Sequence, residues 1–176
     1  MKAPVIIIAG LMLSSVVYGE SVQLGLSDHS VELKYASQVN EQGETEVSWL
    51  HHEDNGDLVG LGFYGTGDHQ NFTAQIGGKL FLTDVDGPDG YGIALGGNVV
   101  WHAADKISLE GGAHYAPDVT AFGDVEHLKE FYIQAAFQLM PSAQVFVGVR
   151  DVDVDIEDVG DVELHDGGYA GISIIF

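Results

Sequence analysis

The chain has 176 residues and 27 acidic against 6 basic side chains, a formal charge of −21, yet 45% of it is hydrophobic. That charge excludes a nucleic-acid binder, which needs a basic footprint to track phosphates. The absence of cysteine excludes disulfide stapling, thiolate metal centres and a lipid-modified cysteine anchor.

Lys2, an apolar run from Val5 to Val17, and Val17-Tyr18-Gly19 ahead of Glu20 have the layout of a secretory signal peptide. The run falls well short of the roughly 20 residues that a bilayer-spanning helix needs. Residues 1–19 are therefore predicted to be cleaved, leaving a single domain over 20–176. Cleavage removes one lysine and no acid, so the mature chain is still more acidic.

From there to the end, segments of period-two alternation follow one another with little between them: 21–27, 30–39, 44–54, 57–66, 70–84, 90–105, 106–117, 126–140, 143–156 and 162–176. None shows a helical period. On "EFYIQAAFQLM", Phe131, Ile133, Ala135, Phe137 and Leu139 share one face, and Tyr132, Gln134, Ala136 and Gln138 the other. Several segments exceed the usual globular strand and match the roughly 9–11 residues of a tilted strand that crosses a bilayer.

Connections alternate in length. "TGDH" (66–69), "AADK" (103–106) and "MPSA" (140–143) are short; "DVDGPDG" (84–90), "APDVTAFGDVE" (116–126) and "EDVGDVE" (157–163) are longer and acidic. Outer-membrane barrels have this asymmetry, with short periplasmic turns and longer external loops. The fold expected is all-β, an antiparallel up-and-down transmembrane β-barrel. Single-chain barrels have even strand numbers, so ten strands are favoured, and eight if two weak N-terminal segments merge or one fails to pair. "DNGD" (54–57) is a hairpin signal and argues against merging there.

If the regular apolar sets face lipid, the lumen receives Glu32, Lys34, Lys79, Asn98, His102, Glu110, His114, Gln134, Gln138 and Arg150. "AQVFVGVRD" fixes the choice: with Val145, Val147 and Val149 outward, Arg150 points in, whereas the reverse sets a guanidinium in hydrocarbon at about 2–4 kcal/mol near the midplane. An inward Arg150 needs a carboxylate, Glu32 or Glu110, with Lys34 and Lys79 balancing the acids, because isolated buried charge is expensive. This lumen charge network reads as a fixed plug, since eight to ten strands leave a bore mostly filled by side chains; a gate or selectivity ring of a narrow channel is the competing role. Trp49, Tyr91, Trp101 and Tyr115 are candidates for interfacial girdles.

Other motifs carry less. Asp151, Asp153 and Asp155 share one side of a strand and are weak candidates for a divalent cation; the EF-hand spacing fails, because Val162 stands where the closing Glu belongs. The plainer expectation is an acidic rim holding divalent cations diffusely, where they bridge lipopolysaccharide phosphates. His51 and His52 point to opposite faces of a strand and cannot chelate together. Asp28-His29-Ser30 are consecutive and cannot readily adopt an orienter–base–nucleophile geometry; a lipid-acting enzyme would need His29 or His165 in an acid–base pair near the outer rim. The pairs Gly77-Gly78, Gly96-Gly97, Gly111-Gly112 and Gly167-Gly168 open no helix and so cradle no phosphate; they suggest curvature or close packing in the lumen. No cofactor and no catalytic residue is implied. The runner-up reading is a secreted lipocalin-type barrel holding an apolar ligand, which requires a polar outside and an apolar lumen.

"LVGLGFYGTGD", "TAQIGGKLFL", "YGIALGGNVVW", "GGAHYAPDV" and the terminal "GGYAGISIIF" resemble, in order and spacing, the YfaZ-like family of small outer-membrane proteins of Gram-negative bacteria. The resemblance implies an outer-membrane barrel among lipid and lipopolysaccharide, with no substrate or active-site residues. Tyr169, Gly171, Ile174 and Phe176 also resemble the C-terminal signature by which the barrel-assembly machinery receives its clients.

Overall fold

A computed structural model describes residues 19–85, 89–157 and 159–176. The predicted leader, apart from Gly19, lies outside the described residues, as do residues 86–88 and 158 of two acidic loops. The strands are β1 (Glu20–Leu26), β2 (Ser30–Asn40), β3 (Gly43–His52), β4 (Gly56–His69), β5 (Phe72–Asp84), β6 (Asp89–Ala104), β7 (Ile107–Ala116), β8 (Ala121–Gly123), β9 (Val125–Met140), β10 (Ala143–Ile156) and β11 (Gly160–Ile175).

Ten of these form a closed antiparallel barrel, each pairing with its sequence neighbour and β11 returning to β1. β8 is a three-residue addition that follows a 3-10 turn, Asp118–Thr120, and pairs with the start of β6. The expected ten strands are therefore all present. The predicted turn at 66–69 is misplaced: β4 continues to His69, and the chain reverses at Gln70, whose φ of 54° lies in the left-handed region. Four connections on one rim, at 41–42, 70–71, 105–106 and 141–142, are two residues long, and that rim also holds the start of β1 and the end of β11. The opposite rim carries the connections at 27–29, 53–55, 85–88, 117–124 and 157–159.

Alternation sends the apolar sets outward. Phe131, Ile133 and Phe137 on β9, Val147 and Val149 on β10, and Ile172 and Ile174 on β11 are exposed, while Tyr132, Gln134, Arg150 and Tyr169 between them are buried. The outward apolar stretch runs from Phe72 to Leu82 on β5, from Tyr91 to Trp101 on β6 and from Phe131 to Leu139 on β9, lengths that suit a tilted strand in a bilayer. Phe72 stacks on Trp101 near the short-turn rim, and Tyr91 stacks on Phe122 near the other, with Tyr115 exposed toward the outer end of β7. A lipocalin-type reading, which needs the inverse polarity, does not fit these faces.

Beyond the belt the apolar residues change face. On β10 the outward Val147 and Val149 give way to outward Asp151 and to inward, fully covered Val152, Val154 and Ile156. Inside the bilayer hydrocarbon solvates the wall, and above it water does, so the apolar side moves inward where the strand leaves the lipid.

Glycines on the inner face make room for large neighbours. At the closing seam, Gly171 lies opposite Gly25; a Cβ at 171 would stand 2.0 Å from the Leu24 carbonyl oxygen and 2.4 Å from Phe146 Cζ. Gly171→Ala should therefore destabilise the barrel by about 1–3 kcal/mol through overpacking, read as a lower urea midpoint. Gly168→Ala, outward and 3.9 Å from its nearest neighbour, should leave that midpoint unchanged.

Candidate functional site: a closed lumen

Three levels fill the bore. Nearest the short-turn rim, Gln23, Gln38, Glu44, Gln75, Gln138 and Gln144 are half-buried and line a polar vestibule. Above it, β2 and β10 bring Glu32 and Arg150 together, Oε2 to Nη2 at 2.7 Å, with both side chains buried. The contact is close but not aligned as a hydrogen bond. The Arg150 guanidinium also lies 4.5 Å over the Tyr169 ring, a cation–π contact that favours keeping it charged. Lys34 Nζ stands 3.9 Å from Glu32 and 3.7 Å from Glu46.

A second group sits across the bore. Lys79 pairs with Glu130; His114 Nδ1 is 3.7 Å from the same carboxylate, and its Nε2 meets the Tyr64 hydroxyl at 3.0 Å. Glu110 does not pair with Arg150. It accepts hydrogen bonds from Tyr132 Oη at 2.6 Å, Gln134 Nε2 at 2.8 Å and Asn98 Nδ2 at 3.1 Å, while Tyr169 donates to Gln134 at 2.8 Å. Glu46, Glu130 and Tyr64 are additions to the residues expected inside from sequence; Tyr132, on the inward face with Gln134 as its alternation requires, and Tyr169 take up hydrogen-bonding roles in this lattice that the pattern did not assign. His102, expected in the lumen, is exposed at the rim. Opposite charges at this depth offset one another's desolvation only while both partners are present.

The third level is apolar. Leu50, Leu58, Phe81, Leu128, Val152, Val154, Ile156 and Leu164 are buried against one another across the outer mouth. They come from β3, β4, β5, β9, β10 and β11, so the cluster closes the bore from several sides at once.

Beside this plug lies a cavity of about 220 Å³, lined in part by His29, Ser30, His52 and His165. The Asp28-His29-Ser30 run separates as chain geometry demands: His29 Nδ1 meets Glu53, and Ser30 Oγ meets His165 Nδ1 at 2.6 Å. The Glu53 carboxylate raises His29 above the ordinary imidazole value, mainly through that hydrogen bond. Ser30 is buried, and among the described residues no carboxylate holds the other ring nitrogen of His165, so the serine–histidine contact lacks the orienting group of a nucleophilic triad.

Asp151, Asp153 and Asp155 stand outward on β10 above the belt, as their spacing requires, but they do not converge on one ion. Among the described residues the group with metal-ligand spacing contains only Asp155 of the three, joined by His127 and Asp161. Of the terminal four, Tyr169 and Gly171 face the lumen, and Ile174 and Phe176 are exposed on the outer face.

An apolar wall outside, ion pairs inside, aromatics at both edges of the belt and two-residue turns on one rim define a small outer-membrane β-barrel. The chain belongs to the YfaZ family: the profile described as "YfaZ precursor" matches residues 1–176. It is 28% identical over 131 residues to the outer membrane protein YfaZ of Escherichia coli (strain K12), across 73% of this chain and 72% of that relative. Solved structures similar to it include the outer membrane channel DcaP of Acinetobacter baumannii, with a TM-score of 0.47 and 12% identity over 92% of this chain, and OccAB4 of the same organism, with 0.35 and 11% over 88%. The chain spans only 55% and 56% of those two proteins. Family and lipid-facing wall together place the protein in the bacterial outer membrane.

Proposed function

We propose that this protein is a closed structural barrel of the outer membrane, with no reaction of its own and no standing conduit for solutes. The single observation that carries the reading is the double closure of the bore: a buried belt of ion pairs around Arg150–Glu32 and Lys79–Glu130, capped by the apolar cluster around Leu128 and Phe81. A permeating ion would have to shed water against hydrocarbon side chains at the outer mouth. The leader directs residues 20–176 across the inner membrane, and the terminal Tyr169, Gly171, Ile174 and Phe176 present the closing strand to the barrel-assembly machinery. Once inserted, the acidic outer rim meets lipopolysaccharide through divalent cations shared with its phosphates.

Planar-bilayer recording of refolded protein tests the closure, with folding verified by a shift in gel migration on boiling. The expected record has no unit conductance steps. Resolved, stable steps from folded protein would replace this reading with the narrow-channel one, and a change in their ion selectivity on Arg150→Gln would then locate the constriction.

A further inference from the structure

Where β9, β10 and β11 rise above the apolar belt, Asp155 is the register partner of His127 on one side and of Asp161 on the other. The three side chains thus form one row on the outer face. His127 Nδ1 lies 3.3 Å from Asp155 Oδ2, and Nε2 lies 4.0 Å from Asp161 Oδ1. One ligand atom from each residue falls within 4.8 Å of the other two. The His127 and Asp155 side chains are only 23% and 20% exposed, and the imidazole leans on the Tyr115 ring, so two of the three donors are held in place. Like charges directly opposite on a sheet are destabilising, yet Asp155 faces Asp161, Asp153 faces Glu163 and Asp151 faces Asp166. Lys129 lies opposite Asp153; the uppermost pair has an imidazole beside it instead.

We propose that His127, Asp155 and Asp161 bind one divalent transition-metal ion of the zinc class. Bond lengths of about 2.0–2.2 Å to nitrogen and carboxylate oxygen bring donors on a shared ion to roughly the separation His127 and Asp155 already have. Asp161, 65% exposed, has the freedom to turn in. An imidazole donor selects zinc-like ions, whereas calcium and magnesium prefer oxygen alone. The ion would tie three strand ends just beyond the β10–β11 register shift between Val152 and Asp153 and beside the β9–β10 shift between Asp155 and Ile156.

The test uses untagged, refolded, chelator-stripped protein in detergent, titrated calorimetrically with zinc chloride and separately with calcium and magnesium chloride. Expected is one zinc per chain, retained in millimolar calcium and magnesium. His127→Ala and Asp155→Asn should each weaken binding at least about tenfold, by comparison with losses seen even at supporting residues of metal sites. Asp161→Asn, on an exposed strand end, should do the same without touching the fold, and Asp151→Asn, an equal change of charge two rows away, should have no effect. Absence of stoichiometric uptake, displacement by calcium or magnesium, or zinc binding that survives His127→Ala in folded protein would each overturn the proposal.

Discussion

Arg150→Ala is expected to destabilise the barrel by about 3–5 kcal/mol, the range for removing one partner of a buried ion pair. The cause is the carboxylate left behind. Glu32 is buried, its Oε2 has the Arg150 guanidinium as its near charge, and Lys34 approaches only its other oxygen at 3.9 Å. Without Arg150 the acid must take up a proton or draw water into the bore. Replacing both partners, Glu32→Gln with Arg150→Met, should recover most of the loss, because the pair is worth far less than the penalty for breaking it. Urea unfolding in detergent, followed by tryptophan fluorescence, measures both. Equal stability of Arg150→Ala and the parent protein would mean that this level of the lumen is solvated, and the ion-pair plug would be untenable. Because the pair is buried, the effect should also persist in high salt, unlike that of a surface bridge.

Much of this architecture is written in the alternation of the chain. Arg150 between Val149 and Asp151 settles which face meets lipid, because an outward guanidinium in hydrocarbon is the costlier choice. The outward apolar sets of β5 and β9 follow with no further information. Which carboxylate meets which cation is a different kind of question. Glu130 reaches Lys79 across the bore from β9 to β5, strands that are not neighbours in the sheet, so the pairing depends on barrel closure and register, and nothing in the local pattern around Glu130 announces it. His102 departs from its expected place for a related reason: parity sets it on the inner face, but it lies near the end of β6, past the level at which "inside" means buried. The apolar cap over the ion pairs is written in a change of phase rather than in the alternation itself. Val149 and Val152 are three residues apart, an odd step that moves the apolar set from the outer to the inner face. That change of phase marks the edge of the membrane, and it recurs on β9, where outward Phe131 is followed toward the outer rim by buried Leu128.

The second large effect concerns the wall. Ile76 on β5 and Val147 on β10 are 77% and 61% exposed, with apolar neighbours above and below them on the same face. Ile76→Arg and Val147→Arg should each cost about 2–4 kcal/mol if these positions lie near the bilayer midplane. The two strands are well separated around the barrel, so the double variant should lose close to the sum. Val119, in the 3-10 turn of the outer rim, is still more exposed at 82%, yet Val119→Arg should change stability by no more than about 0.5 kcal/mol, since water already surrounds it. Exposure alone cannot separate these sites; the solvent each one faces does. Refolding into lipid vesicles, scored by the fraction of protein whose gel migration shifts on boiling, compares all three substitutions directly. A barrel in water would tolerate them alike, and equal folded fractions for Ile76→Arg, Val147→Arg and Val119→Arg would refute a hydrocarbon-solvated wall.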